Sequence, residues 1–365
     1  MKDTKKVSSL QLGVITFFLA KASFFPIASS IILNYSKQNI WISILASGLV
    51  GIIPLLIYIF INNKNKGLNI IELNQKLFGN VLGNIFNFVI SIGILLFGVI
   101  MLLGLCNFTF SNYLTNTPQI IIGFLFMLVV SYAAIKGIET ICRTSQLLFI
   151  LNIVLFIVSI VCLIYYIDIN NFKPFFDISI SNIYKSSYNF ILFGITPIFM
   201  LSIIPNDIIV KKENYNKSII FGYVGAIIVV LLTMCATTGV LGNLITLFEY
   251  PEYIALTQIE YFHFLERIEN VLSLQWIFEI FIFMVMIIYF LKKYISVTFK
   301  THKKKSNNII VLLLSLLILI ITSIFFTNSI VIKNLIVNNY FYIMILSFII
   351  TPLFIYLKLK FKKSS

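Results

Sequence analysis

The sequence predicts an all-α polytopic membrane protein of about ten transmembrane helices. Three observations lead there. Hydrophobic residues make up 59% of the 365-residue chain and charged residues only 11%. Mean hydropathy is +1.01. Apolar runs of 18 residues or more recur from end to end, and a run of that length is what a helix needs to cross a bilayer. A membrane β-barrel would show short alternating segments instead.

The runs place spans near 10–33, 40–61, 81–110, 118–135, 145–167, 187–206, 218–243, 270–291, 308–327 and 339–357. Pro118 suits the start of the fourth, since a first-turn proline gives up a donor that would be unpaired anyway. The third is long enough to tilt or to extend beyond the bilayer. The first is too long for a cleaved signal peptide and lacks a small-residue cleavage site. The chain reads as one membrane domain over 1–365.

Lysine and arginine set the orientation. With the N-terminus cytoplasmic, inner segments hold 21 of the 27 Lys and Arg residues, from Lys2 to Lys363. The outer loops hold five: Lys37, Lys173, Lys185, Arg267 and Lys333. That bias places both termini inside. It also accounts for the net charge of +14 without nucleic acid, because the basic residues mark the face that meets anionic lipid.

The remaining lysine is Lys21, in the middle of LQLGVITFFLAKASFFPIASSIIL. An ammonium at mid-bilayer costs roughly 2.5–3.5 kcal/mol on insertion scales, so a chain that keeps one there pairs it or uses it. Glu279 is the carboxylate deep inside a span, in LQWIFEIFIFM, with Gln275 one helical turn before it. Lys21 and Glu279 are expected to face one another or one shared cavity, as a structural ion pair or a proton-coupling site.

Ten spans fall into two groups of five around the polar stretch 168–186. An odd number per group makes the second group run opposite to the first, the plan of an inverted repeat. The repeats would be 8–167 and 184–358. The first span of each carries an internal proline: Pro26 in AKASFFPIASS and Pro197, after Gly194, in FGITPIFMLS. Proline removes a backbone donor and clashes with the preceding turn. Freed backbone groups at membrane depth are tolerated only beside protein or a water-filled cavity. Ala22, Ser23, Phe24, Phe25 and Pro26, with Gly194, Ile195, Thr196 and Pro197, are therefore the candidate ligand-binding residues. Lys21, Gln275 and Glu279 are the candidate buried-charge or coupling residues.

The outer loop after the seventh span reads as a short amphipathic helix over 250–266, with Ile254, Ile259, Phe262 and Leu265 on one face. It is acidic, with Glu249, Glu252, Glu260, Glu266 and Glu269 against Arg267. It is read as an interfacial or capping helix, a lid, or a docking surface. The four cysteines lack CxxC spacing, and His263 and His302 stand far apart. No metal constellation, nucleophile elbow or phosphate loop is present, so no cofactor, metal or catalytic residue is expected and the chain is not read as an enzyme.

FMLSIIPND, TTGVLGNL and EYPEYIALTQIEYFHFLERIEN followed by QWIF resemble the spore germination permease family, within the amino acid–polyamine–organocation transporter superfamily. The specific order is Gly242, Tyr250–Pro251, Phe264, Glu266–Arg267–Ile268–Glu269 and Trp276. The resemblance implies a five-plus-five inverted fold with broken first and sixth helices around a ligand site. It implies a germinant receptor B-subunit in the inner spore membrane, working with A-type and C-type subunits. The expected ligand is a small nutrient germinant such as an amino acid. Relatives carry a glycine-rich stretch before the first-span proline, where this chain has Ala20-Lys21-Ala22-Ser23. The alternative function is a free-standing, proton-coupled amino acid or amine permease.

Overall fold

The computed structural model describes residues 6–24, 28–65, 67–259, 267–301, 303–326 and 341–361. Among them, nine helices are long and apolar enough to cross a membrane. The protein is an all-α polytopic membrane protein.

The first span is broken. Helix α1, Ser9–Lys21, opens with a capping box in which Ser8 and Gln11 satisfy each other's backbone donors. Its 13 residues span about 20 Å, too short to cross alone. The chain resumes as α2, Ser29–Ser36, then turns through Lys37–Asn39. The second span follows as α3, Ile40–Val50, and α4, Ile52–Lys64, joined at Gly51.

The third element, α5, runs Ile70–Asn112 but bends sharply at Gly79, whose φ of 80° lies in the left-handed region. The segment before the bend folds back on the segment after it. Asn74 Nδ2 donates to Asn87 Oδ1 at 2.8 Å, and Asn87 Nδ2 to the Ile71 carbonyl at 3.0 Å. The extra length expected to tilt or extend the span is therefore a separate short helix, and the span itself begins near residue 81 as expected.

Helix α6, Gln119–Lys136, and α7, Ile138–Ile164, are separated only by Gly137. The fifth span thus starts seven residues before the expected 145. Its first turns looked too polar for a span because of Glu139 and Arg143, which pair with each other one turn apart at 2.6 Å.

The sixth span changes pitch twice. Helix α8, Ile180–Phe190, passes into a π-turn over Ile191–Ile195 and then a 3₁₀ segment over Thr196–Ile203. Next come α9, Tyr215–Leu241, the short α10, Pro251–Thr257, α11, Glu269–Thr298, and α12, Lys304–Ile324. The last span joins α13, Phe341–Ile345, through a π-turn over Leu346–Ile350, to α14, Thr351–Phe361. The loop helix occupies only the start of the expected 250–266, and residues 260–266 lie outside the described residues.

Two contacts anchor α1. Strand β1, Val7–Ser8, pairs in parallel with β2, Ile209–Val210, just beyond the sixth span. Ser9 Oγ adds bonds to the carbonyls of Val210 at 3.0 Å and Lys211 at 2.5 Å. Further along, α1 crosses α9 at Gly13 and Gly222. A Cβ on Gly13 would stand 2.5 Å from the Ser218 carbonyl oxygen, so neither backbone leaves room for a side chain. Small residues at such crossings let transmembrane helices pack by close backbone contact.

We expect Gly222→Val to force this crossing apart and lower stability by about 1–3 kcal/mol, the range for overpacking a tight site. Gly225→Ala, which meets only a Phe17 ring carbon at 3.6 Å, should be close to neutral. Thermal unfolding of the purified proteins in one detergent checks both. Equal losses would mean that the crossing is not a tight constraint.

Candidate ligand site at the helix breaks

Lys21 ends α1, where the partial negative charge of a helix C-terminus favours a cation. Its side chain is fully buried and points at α11. Lys21 Nζ lies 2.5 Å from Glu279 Oε1 and 5.8 Å from the centre of the Phe17 ring, one turn back. The same carboxylate oxygen receives Asn152 Nδ2 at 2.8 Å from α7. Asn152 also reaches the Gln275 carbonyl at 3.3 Å, and Gln275 Nε2 approaches Asn152 Oδ1 at 3.5 Å. Lys21, Gln275 and Glu279 thus come together as the sequence suggested, and α1, α7 and α11 meet on one polar node.

Asn152 escaped the sequence reading. Asparagine is common throughout this chain, so one more carried little signal. Its position one helical turn from other apolar residues does not mark it either. Only the packing reveals that it is fully buried and aimed at the ion pair. A buried pair is stabilised when its remaining polar valences are filled, which is what Asn152 does for Oε1.

The two breaks also meet. Proline lacks the N–H that would bond four residues back, so Pro197 releases the Phe193 carbonyl. Ser23 Oγ, just beyond the end of α1, donates to that carbonyl. Across the first break, the Ala28 N–H reaches the Ser23 carbonyl at 3.3 Å. Gly194 faces Ala20: a Cβ there would lie 3.2 Å from the Ala20 carbonyl oxygen and 3.4 Å from the Phe190 ring. Thr196 Oγ1 donates to the Leu192 carbonyl at 2.6 Å, within its own strand of chain.

Ala22, Ser23 and Phe24 from the first break and Gly194, Ile195, Thr196 and Pro197 from the second are all buried. Phe25 and Pro26 lie outside the described residues. Phe24 packs on Phe190 with ring centres 5.3 Å apart. Phe97 of α5 bridges Phe193 at 6.1 Å and Phe283 at 5.0 Å, one turn beyond Glu279. The Ile195 side chain instead runs toward Gly51, where a Cβ would overlap its Cδ1. Apolar walls with a few convergent polar groups are the usual make-up of a small-molecule site. Both hydroxyls here give their protons to backbone carbonyls, so what each oxygen retains is acceptor capacity.

A groove of about 600 Å³ lies elsewhere, between α1, α7 and α9. It is lined by Val14, Phe149 and Gly222 among others and opens outward. It does not include any residue of the breaks.

Helix α10 covers the end of α11 that precedes the ion pair. Tyr250 and Tyr253 pack against Phe108 with ring centres at 5.1 and 5.5 Å, and Phe108 against Trp276 at 4.8 Å. Trp276 stands one turn before Glu279. Gly242, which starts the approach to this helix, has a φ of 52° and faces Asn171, whose Oδ1 would lie 2.7 Å from an added Cβ. The spaced motif from Gly242 through Tyr250–Pro251 to Trp276 therefore builds one covered corner. Arg267 to Glu269 continue it, while Phe264 and Glu266 lie outside the described residues.

The model of a family described as "Spore germination protein" matches residues 6–331. The chain belongs to that family. It is similar to spore germination protein KB of Bacillus subtilis (strain 168), 27% identical over 259 residues, covering 67% of each chain. It is also similar to spore germination protein B2 of the same organism, 26% identical over 140 residues. That second alignment covers 38% of this chain and 37% of the relative, so it spans well under half of either.

Neutralising one partner of a buried ion pair costs about 3–5 kcal/mol, because the other charge is left uncompensated. Lys21→Met and Glu279→Gln should each lower thermal stability on that scale. The double variant should regain part of the loss. Strictly additive losses in this double-mutant cycle would show that the two residues are not coupled.

Proposed function

We propose that this chain is the transporter-like membrane subunit of a spore germinant receptor. It binds a small nutrient germinant, such as an amino acid, at the two helix breaks. It then passes the resulting rearrangement to A-type and C-type partner subunits. The observation that carries the reading is the junction of the breaks: Ser23 of the first closes on the carbonyl freed by Pro197 of the second, beside the Lys21–Glu279 pair. Membership of the spore germination protein family supplies the biological setting.

On this reading the chain is an inverted repeat of five plus five spans, over 8–167 and 184–358, in the inner spore membrane. Both termini are cytoplasmic, as the distribution of Lys and Arg supports. Helix α10 is then the outer lid. A ligand that binds one arrangement of the breaks better than another shifts the population toward it. On this reading a partner subunit reads that shift. The free-standing permease is favoured by one observation, the buried ion pair, which could exchange a proton with a transported substrate.

Orientation is checked by cysteine labelling. In a variant without the four native cysteines, Gln258→Cys should react with an impermeant reagent on intact cells, and Lys303→Cys should not. The reverse pattern would invert the topology.

Ligand binding is checked in the purified chain by thermal stabilisation across amino acids, sugars and bile-acid-like molecules. Gly194→Leu should abolish the response by pressing into Ala20 and Phe190, and Thr196→Val should weaken it about tenfold, the effect of one lost hydrogen bond. Unchanged responses from both would remove the ligand from the breaks. Robust uptake of any responding compound by the isolated chain in proteoliposomes, driven by a proton gradient, would replace the receptor reading with the permease.

A further inference from the structure

Among the described residues, two carboxylates are buried: Glu279, held by Lys21 and Asn152, and Glu252, on α10. Glu252 has no cation opposite it. Its side chain is 1% exposed, and neither oxygen has a hydrogen-bond partner of good geometry. The Ser29 hydroxyl, at the start of α2, lies against it. Ser29 follows the first break directly, so the lid delivers a carboxyl group to the rim of the candidate ligand site.

The surroundings are poor in charge. Helices α7 and α9 carry their charged residues, Glu139, Arg143 and Lys217, at the ends remote from α10, and α2 carries none. The thiols Cys142, Cys162 and Cys235 are their remaining ionisable groups, tyrosines aside. Glu249 acts on Tyr250 of the lid's own entry, and Glu269, Arg267 and Tyr113 act on Tyr253. On α11 the deep carboxylate is already paired. Burial with no compensating cation pushes the Glu252 carboxyl up to about 8, only partly opposed by its hydrogen bonding. In the structure as it stands the group is therefore mostly protonated at neutral pH.

A compact cation rich in N–H donors would satisfy both oxygens of a buried carboxylate of this kind. The rest of the site agrees. The hydroxyls of Ser23 and Thr196 offer acceptor capacity, because their protons are engaged by backbone carbonyls. Lys21, the cation that could have received a ligand's carboxylate, is held by Glu279.

From this juxtaposition we infer that Glu252 is the anionic anchor of the ligand site, receiving the ammonium group of an amine-bearing germinant and releasing its own proton as it does so. The inference deepens the reading given above and rests on it. Charge balances: one ammonium enters, one carboxylic acid becomes a carboxylate, and one proton leaves to solvent. The lid then closes over a neutral pair. A ligand of this class binds more tightly as pH rises toward the carboxyl's own range, because less proton has to be displaced.

The test uses the full chain in lipid nanodiscs with three probes: L-alanine, propylammonium and propionate. Titration calorimetry in phosphate and in MOPS, buffers of different ionisation enthalpy that carry no primary ammonium, counts protons released. We expect L-alanine and propylammonium to bind with close to one proton released at pH 6–7. Affinity should strengthen by up to tenfold per pH unit there and level off above about 8. Propionate should not bind. Glu252→Gln should weaken both amines by tenfold or more and abolish proton release, while Glu252→Asp keeps the release. Melting curves without ligand confirm that the variants fold.

Amine binding by Glu252→Gln with unchanged affinity and proton count would overturn the assignment. So would binding of propionate alone, or no binding by either amine. L-alanine binding that survives Glu252→Gln but is lost in Gly194→Leu would discard Glu252 and keep the ligand at the breaks. Binding untouched by either substitution would discard both readings.

Discussion

A carbonyl released inside hydrocarbon has no water to turn to, and this constraint organises the centre of the molecule. Pro197 frees the Phe193 carbonyl, and Ser23 is the residue that answers it. Within intact helices, the hydroxyls of Ser47, Ser131 and Ser159 turn back to their own preceding turn. The Ser23 donor comes from a chain that has just left its helix at Lys21. The first break therefore supplies the donor that the second lacks. The π-turn over Ile191–Ile195 and the 3₁₀ segment after it are the geometry by which the sixth span stays satisfied while it changes pitch.

Lys21 shares that position. Its ammonium reaches across to α11, where Glu279 and Asn152 complete the node. Helix α1 is thereby fixed at three heights. Strand β1 and Ser9 tie its start to the segment beyond the sixth span, Gly13 locks against α9, and Lys21 binds α11 at its end. These contacts tie α1 to three different parts of the molecule: the segment after the sixth span, α9 and α11.

What the sequence disclosed follows from contrast. A lysine or glutamate inside an apolar run is conspicuous, and a proline in a span has one mechanical consequence, so the ion pair and both breaks were legible. Asn152 was not, because the chain is rich in asparagine and its role depends on where α7 packs. Glu252 was hidden for a different reason. A glutamate in an acidic loop is ordinarily solvated, and nothing in the alternation of 250–266 says that this one turns inward toward Ser29. The bend at Gly79 and the hinge at Gly137 depend on positive φ, which a glycine permits but does not announce. The β1–β2 pairing spans about 200 positions of sequence and involves two residues on each side, too short a pattern to read.

The lid and the ion pair are linked through one helix. Along α11, Trp276 receives the lid's aromatic cluster, Gln275 meets Asn152, and Glu279 holds Lys21, all within two turns. Residues three and four apart share a face, so Trp276 and Glu279 present the lid contact and the charge contact on one side of the same rod. Displacing the lid alters the packing on Trp276, and rotating α11 by even part of a turn would swing Glu279 away from Asn152. The node tolerates little of this, because a buried charge that loses one hydrogen bond has no solvent to replace it. The packing of α10 and the charge contact with α1 therefore depend on one face of one helix, so a change at either is a change in the surroundings of the other.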